Sequence, residues 1–187
     1  MKLISQLETT EVGTTVKVRA GIVATYAQGY LLYDESGFIE YYLGSDATLE
    51  FSVGDQVEVV GELGEHNGTK QFTKDAKVSK LGSGYAFAND PITYDATELA
   101  ENINNVALGD YFKFDITITS VSDNYVNGTI NGAESYGIAI TYPTAKDDFV
   151  VGGRYQVTGF ALYTNVYNEV NYIYLMTTKY GELHTVT

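Results

Sequence analysis

Short stretches in which hydrophobic and polar residues alternate dominate the chain. In residues 12–24 the apolar side of the alternation is formed by Val16, Val18, Ala20, Ile22 and Ala24. This period of two is the pattern of a half-buried β-strand. Further short strands are predicted over residues 30–33, 38–43 and 56–60, with Gly, Asp and Asn in the turns between them. Such spacing predicts an all-β sandwich or barrel.

Helical patterning is confined to two short segments. In residues 95–103 the apolar residues recur at helical spacing, and Asp95 precedes them as a candidate N-cap. Residues 4–8 show a shorter version, with Ile4 and Leu7 three positions apart. We therefore predict an all-β chain with one or two short helices.

An internal repeat divides the chain. Residues 51–61 are similar to residues 149–159, and residues 12–18 are similar to residues 108–114, in the same order. The repeat predicts two copies of one fold, with the following boundaries: a first domain at 1–82, a linker at 83–94 and a second domain at 95–187. A single large β-domain with a chance similarity is the alternative.

Each copy resembles an OB-fold. The resemblance rests on the strand–turn–strand pattern of residues 29–39, on the turn-plus-strand segment 53–61 and on Gly21 near the end of a long first strand. The entry segment 4–7 is similar to that of OB-type domains in secreted and lipid-anchored proteins of gut Bacteroidetes. The resemblance implies two tandem five-stranded Greek-key barrels. The second copy departs from the pattern in residues 124–132 and at Gly153, which replaces the turn aspartate.

Composition excludes several kinds of chemistry. The chain has 187 residues, with 11 Lys and Arg against 24 Asp and Glu, a net charge of −13, 17 Tyr and no Cys. Without Cys there are no disulfides, thiolate metal sites or Cys nucleophiles. The acidic balance disfavours a general nucleic-acid clamp. No segment is apolar enough to span a membrane, and no signal peptide is evident, so we expect a mature fragment of a secreted or cell-surface protein.

No catalytic motif is evident in the sequence. Nucleophile elbows, phosphate-binding loops and His-Glu-x-x-His zinc motifs are all missing. His66 lies in a predicted hairpin tip and His184 in the tail, so neither is expected to bind metal. We therefore predict a non-enzymatic protein without a cofactor or metal.

Two features are candidates for binding. The first is an aromatic face on strands 2 and 3 of the first copy, next to a run of lysines that begins at Lys70. The second is the Tyr- and Asn-rich segment 163–172, which we predict to be the loop between strands 4 and 5 of the second copy. The predicted ligand-binding residues are Tyr33, Phe38, Tyr42, Lys70, Tyr163, Asn165, Tyr167 and Tyr172.

Three functions are compatible with these residues. The favoured interpretation is a binding module of a larger surface protein, with a glycan or protein ligand on exposed Tyr and Asn side chains. The alternative is a protein that binds single-stranded nucleic acid by stacking bases on Tyr33, Phe38 and Tyr42. A hydrolase whose carboxylates meet only in the fold ranks last.

Overall fold

The computed structural model describes residues 1–183 and forms two compact units, Met1–Ala88 and Asn89–Thr187. Residues 184–187, which include His184 and end the predicted second domain, lie outside the described residues. The predicted boundaries at 82 and 95 stay a prediction. The structure divides the predicted linker, since Tyr85 donates a backbone hydrogen bond to Gly54 in the first unit and Ile92 pairs with Phe112 in the second.

The first unit is a seven-stranded sheet preceded by a 3-10 helix, Ile4–Leu7. The strand order is β5-β6-β3-β2-β1-β4-β7, and β3 and β6 run parallel. Its strands are β1 (Thr15–Tyr26), β2 (Gly29–Tyr33), β3 (Phe38–Tyr42), β4 (Gln56–Glu62), β5 (Gly64–His66), β6 (Thr69–Thr73) and β7 (Lys77–Gly82).

The core of the first unit follows the predicted alternation. Tyr30 and Leu32 of β2, and Ile39 and Tyr41 of β3, are buried in one cluster with the apolar side of β1. Asp34 caps the turn after β2, because its carboxylate accepts hydrogen bonds from the backbone of Ile4 and Ser36. These contacts confirm which side of strands 2 and 3 faces the core.

The second unit begins with a helix and continues as a closed five-stranded barrel. The predicted helix is confirmed as α1 (Ala96–Asn102), with Asp95 and Glu98 forming a capping box. Two further 3-10 helices cover Ile103–Asn105 and Lys146–Asp148. The strands are β8 (Tyr111–Val121), β9 (Tyr125–Ile130), β10 (Ala133–Thr141), β11 (Arg154–Tyr167) and β12 (Val170–Glu182).

The strand order of this barrel is that of an OB-like fold. The order is β10-β12-β11-β8-β9, in which β10 and β12 run parallel and the other pairs run antiparallel. The barrel interior is filled by one apolar cluster that includes Phe114, Ile138, Val157 and Leu175. The prediction of a mostly β chain with OB-like architecture is therefore confirmed, with a closed barrel in the second unit and an open strand order in the first.

Candidate functional site: a tyrosine face on the second unit

The predicted aromatic face of the first unit is packed against a residue of the predicted linker. Tyr33 and Phe38 contact each other, with ring centroids 4.6 Å apart. The ring of Phe87 lies edge-on to Tyr33 at 5.1 Å and tilted against Phe38 at 5.9 Å. Both predicted stacking residues are half-buried. A base could therefore stack on them only after Phe87 moves.

Tyr42 and Lys70 lie on neighbouring strands, away from that aromatic group. Tyr42 ends β3 and pairs with Thr73 of the parallel strand β6. Lys70 lies on β6, where its ammonium forms a 2.8 Å ion pair with Glu65 across the β5–β6 hairpin. The lysine predicted to contact a ligand thus has a carboxylate partner of its own.

The predicted loop at 163–172 is a β-hairpin, which corrects its secondary structure. β11 continues to Tyr167 and β12 starts at Val170, so only Asn168 and Glu169 form the turn. Both turn residues have positive φ, 48° and 65°, as a two-residue type I′ turn requires. Asn165 pairs with Tyr172 across this hairpin.

The predicted tyrosines of this hairpin have different surroundings. Tyr167 is 59% exposed near the tip, and Tyr163 is 44% exposed near the base. Tyr172 is buried, and its ring lies over Gly137, where a Cβ would come within 2.5 Å of it. Tyr172 is therefore a packing residue that requires glycine at position 137.

Four tyrosines form a continuous aromatic group on the second unit, which we call the tyrosine face. It consists of Tyr125, Tyr142, Tyr163 and Tyr174. Tyr163 stacks on Tyr174 with centroids 4.4 Å apart and planes inclined by 17°. Tyr125 meets Tyr174 edge-on at 5.5 Å and contacts Tyr142 at 5.7 Å. Only Tyr163 is among the predicted site residues.

Strand alternation and register bring these four residues together. Val126 on β9 and Ile173 on β12 point into the barrel core, so their neighbours Tyr125 and Tyr174 point outward. Tyr163 is the direct partner of Tyr174 across the β11–β12 pair. Tyr142 follows β10 with a positive φ of 43°, and its backbone N–H donates to the Asn124 carbonyl at 2.7 Å.

Two of the four tyrosines have raised pKa values. Burial raises the pKa of Tyr163 and of Tyr125, and the charges of Tyr142 and Tyr174 add to both shifts, whereas the hydrogen bond with Tyr163 lowers the pKa of Tyr125. The hydrogen bond between Tyr163 and Tyr125 also raises the pKa of Tyr163. Tyr163 and Tyr125 therefore offer apolar ring surface and neutral hydroxyl groups.

An ion pair lies in the segments that flank two of the tyrosines. Lys146, four residues after Tyr142, pairs through its ammonium with Asp123, which is two residues before Tyr125. This contact lowers the pKa of Asp123 and raises the pKa of Lys146. Both groups are consequently charged at neutral pH and neutralise each other.

The tyrosine face borders the region where OB-folds hold their ligands. OB-folds bind oligonucleotides and oligosaccharides on strands 2 and 3, between the loops 1–2 and 4–5. In this barrel those strands are β9 and β10, and those loops are residues 122–124 and the turn at Asn168 and Glu169. Tyr125 directly follows the first loop, and Tyr163 and Tyr174 form the base of the hairpin that carries the second.

Neither a metal site nor a membrane-spanning helix is evident in the described part of the chain. Within residues 1–183, no group of three or more His, Cys, Asp or Glu side chains could hold a metal ion. Over the same residues, no helix has the length and apolar character needed to cross a bilayer.

Comparisons with known proteins give matches in structure alone. No family model and no curated protein matches the chain, whereas 24 solved chains do. The Ifi202 HINa domain in complex with 20-bp double-stranded DNA has a TM-score of 0.48 and 13% identity, over 92% of this chain and 98% of that one. A murine DNA-binding protein bound to double-stranded DNA has a TM-score of 0.44 and 8% identity, over 91% and 100%. The p204 HINb domain has a TM-score of 0.44 and 8% identity, over 92% and 98%.

These comparisons correct the favoured functional interpretation. The sequence predicted a glycan or protein ligand at a cell surface, whereas two of these neighbours were solved in complex with double-stranded DNA. The glycan- or protein-binding module is therefore corrected and is not retained as the main interpretation.

Proposed function

We propose that this chain is a non-enzymatic protein that binds single-stranded nucleic acid by stacking bases on the tyrosine face. The observation that carries the proposal is the contact of four tyrosine rings that border the ligand-binding region of an OB-like barrel. Aromatic side chains on OB-folds stack bases with little sequence preference. A single strand is favoured over a duplex, because only unpaired bases can expose their ring faces to side chains.

Charge predicts how such binding responds to salt. With a net charge of −13 and neutral phenols at the face, stacking must supply most of the affinity there. Each neutralised phosphate adds about −0.7 to the slope of log affinity against log salt for a single strand. We therefore expect the tyrosine face itself to contribute almost nothing to that slope.

Fluorescence anisotropy with labelled single-stranded oligonucleotides tests the proposal. Tyr174 contacts two other tyrosines, so Tyr174→Ala removes the centre of the face, whereas Tyr174→Phe keeps the ring. Loss of one stacked base costs about 1–3 kcal/mol, so Tyr174→Ala should weaken binding by roughly 5- to 150-fold. Tyr174→Phe should stay within about threefold of the parent.

Tyr180→Ala is the matched control. Tyr180 lies on the same strand, is 38% exposed and has one aromatic contact of its own, with Phe149 at 4.8 Å. Its removal should leave oligonucleotide affinity unchanged. Equal losses for Tyr174→Ala and Tyr180→Ala, or no binding at protein concentrations of about 0.1 mM, would contradict the proposal. A duplex of the same sequence should bind more weakly than the single strand.

The proposal extends to the first unit, which we infer to be a second barrel of the same type. Its edge strands continue its inner strands, since β5 follows β4 after one residue and β7 follows β6 after three. Counting each of these two pairs as one bent strand gives five strands in OB order, with β3 and β6 parallel. The similarity to secreted proteins of gut Bacteroidetes and a cell-surface location stay predictions, which fractionation of the native cells would test.

A further inference from the structure

Three basic side chains share one side of the first unit, which we call the cationic face. Lys17 and Arg19 lie two positions apart on β1, and Lys77 lies on β7. Val60 of β4 pairs with Lys17 on one side and with Lys77 on the other, so these residues form one row across three strands. Residues of β1, β4 and β7 that alternate with them point into the core: Val16, Val18, Val59 and Val78. The cationic residues therefore point outward.

One carboxylate, that of Glu58, contacts two of these cations. Glu58 occupies the next row, opposite Arg19, and its two oxygens lie 3.0 Å from the Lys17 ammonium and 2.9 Å from the Arg19 guanidinium. The Lys17 and Arg19 side chains are nonetheless 47% and 58% exposed. Within residues 1–183, no ion pair involves Lys77. Glu62 lies on the same side of β4, two positions from Val60 and opposite Thr15. Three cations and two carboxylates leave a local excess of one positive charge.

Other described ion pairs of the chain do not have this excess. Lys70 is paired with Glu65, Lys80 with Asp55 and Lys146 with Asp123, one carboxylate for each cation. The cationic face thus differs in the ratio of its charges and in the regular spacing that a sheet imposes. Side chains two positions apart on a strand are separated by about 7 Å, and neighbouring strands by about 4.8 Å.

Glu58 acts as an internal competitor for the cations. Its hydrogen bonds to Lys17 and Arg19 lower the pKa of its carboxyl, so it is ionised at neutral pH. An incoming phosphate must share those two side chains with Glu58, whereas it can bind Lys77 without displacing a carboxylate. Removal of the Glu58 charge should therefore strengthen binding of a polyanion.

We propose that the cationic face of Lys17, Arg19 and Lys77 binds the phosphodiester backbone of a nucleic acid. This inference rests on the proposed function, because it takes the same class of ligand and assigns the first unit a contact with its phosphates. Charge complementarity identifies the ligand as a repeating anion, since Lys17 and Lys77 lie in one row across the sheet and Arg19 lies in the next row, so the three cations are regularly spaced.

The test uses two labelled probes, a single-stranded oligonucleotide and an abasic strand of the same length, which carries phosphates without bases. For the abasic strand, loss of three phosphate contacts in Lys17→Gln/Arg19→Gln/Lys77→Gln should reduce the salt slope by about 2. Between 50 and 200 mM salt, that difference corresponds to roughly an 18-fold change in affinity. Glu58→Gln should tighten abasic-strand binding by about fivefold, from the removal of one charge at contact distance.

Glu65→Gln is the matched control, because it changes net charge by the same amount at another lysine–glutamate pair. Equal gains in Glu58→Gln and Glu65→Gln would show that only net charge matters and would overturn the inference. An unchanged salt slope in the triple variant would overturn it as well. Normal oligonucleotide binding by Tyr174→Ala, together with a reduced salt slope in the triple variant, would support phosphate binding at the cationic face. The same result would contradict base stacking at the tyrosine face.

Discussion

The contact between Gly21 and the ring of Tyr85 in the first unit can be tested by substitution. A Cβ at Gly21 would lie 2.1–2.4 Å from three ring carbons of Tyr85, so Gly21→Ala must displace the ring. Tyr85 is also held by its backbone N–H, which donates to the Gly54 carbonyl at 2.8 Å. Overpacking of this kind costs about 1–3 kcal/mol.

Native-state hydrogen exchange measures this cost in the first unit alone, because exchange rates are read amide by amide. Amides of β1 and β4 should exchange roughly 5- to 150-fold faster in Gly21→Ala, which is the rate equivalent of about 1–3 kcal/mol. In a Tyr85→Ala background the clash is absent, so Gly21→Ala should be neutral, or stabilising by up to about 1 kcal/mol, because glycine is unfavourable in a strand. Additive losses in the double variant would refute the contact between Gly21 and Tyr85.

Two further substitutions test packing and burial elsewhere. Gly159→Ala would place a Cβ 2.4 Å from the Met176 carbonyl oxygen, so it should destabilise β11 and β12 by about 3 kcal/mol or more; Met176→Ala should not restore exchange protection, and a rescue would contradict the backbone clash. Burial raises the pKa of Glu40 above its ordinary value of 4.5, despite the opposing hydrogen bond from Tyr26. The contribution of Glu40 to the stability of the first unit should therefore be fully present below about pH 4.5 and be lost as pH rises through its folded-state pKa. Glu40→Gln should remove that dependence in urea unfolding curves, and an unchanged pH profile would show that another group causes it.

The core-facing residues could be predicted because the alternation of apolar and polar residues along a strand is visible in the sequence. Tyr30, Leu32, Ile39 and Tyr41 were assigned to the core from a period of two alone, and the structure confirms them. The helix after Asp95 was equally accessible, because its cap and its apolar spacing are local signals. Both predictions depend only on residues that are close in the chain.

The hairpin at 163–172 was missed because its turn lacks the usual signal. Type I′ turns are recognised by Asn-Gly or Asp-Gly, whereas this turn is formed by Asn168 and Glu169, both with positive φ. The flanking Tyr, Thr and Asn residues suggested a polar loop. In the structure the segment forms two paired strands, which supply hydrogen-bond partners to its backbone N–H and C=O groups. The same pairing places Tyr163 opposite Tyr174.

The tyrosine face could not be predicted because its members come from different parts of the barrel. Tyr125, Tyr142, Tyr163 and Tyr174 belong to, or directly follow, four different strands. Their contact depends on the register of those strands, which includes a bulge between Ala161 and Tyr163. A shift of one residue would turn Tyr174 into the core. No pattern within one strand contains that information.

The net charge of −13 was the strongest argument against nucleic-acid binding. The structure shows that the charge at the cationic face differs from the net charge of the chain. Electrostatic interactions are screened over about 8 Å at physiological ionic strength, so a bound phosphate responds mainly to the charges next to it. At the cationic face those are Lys17, Arg19 and Lys77 with Glu58 and Glu62, a local excess of positive charge within a chain of −13. At 0.01 M salt the screening length grows to about 30 Å, and the carboxylates of the whole chain repel the same ligand. Because dilute buffer would suppress the binding that the local charges favour, the salt titration must begin near 50 mM.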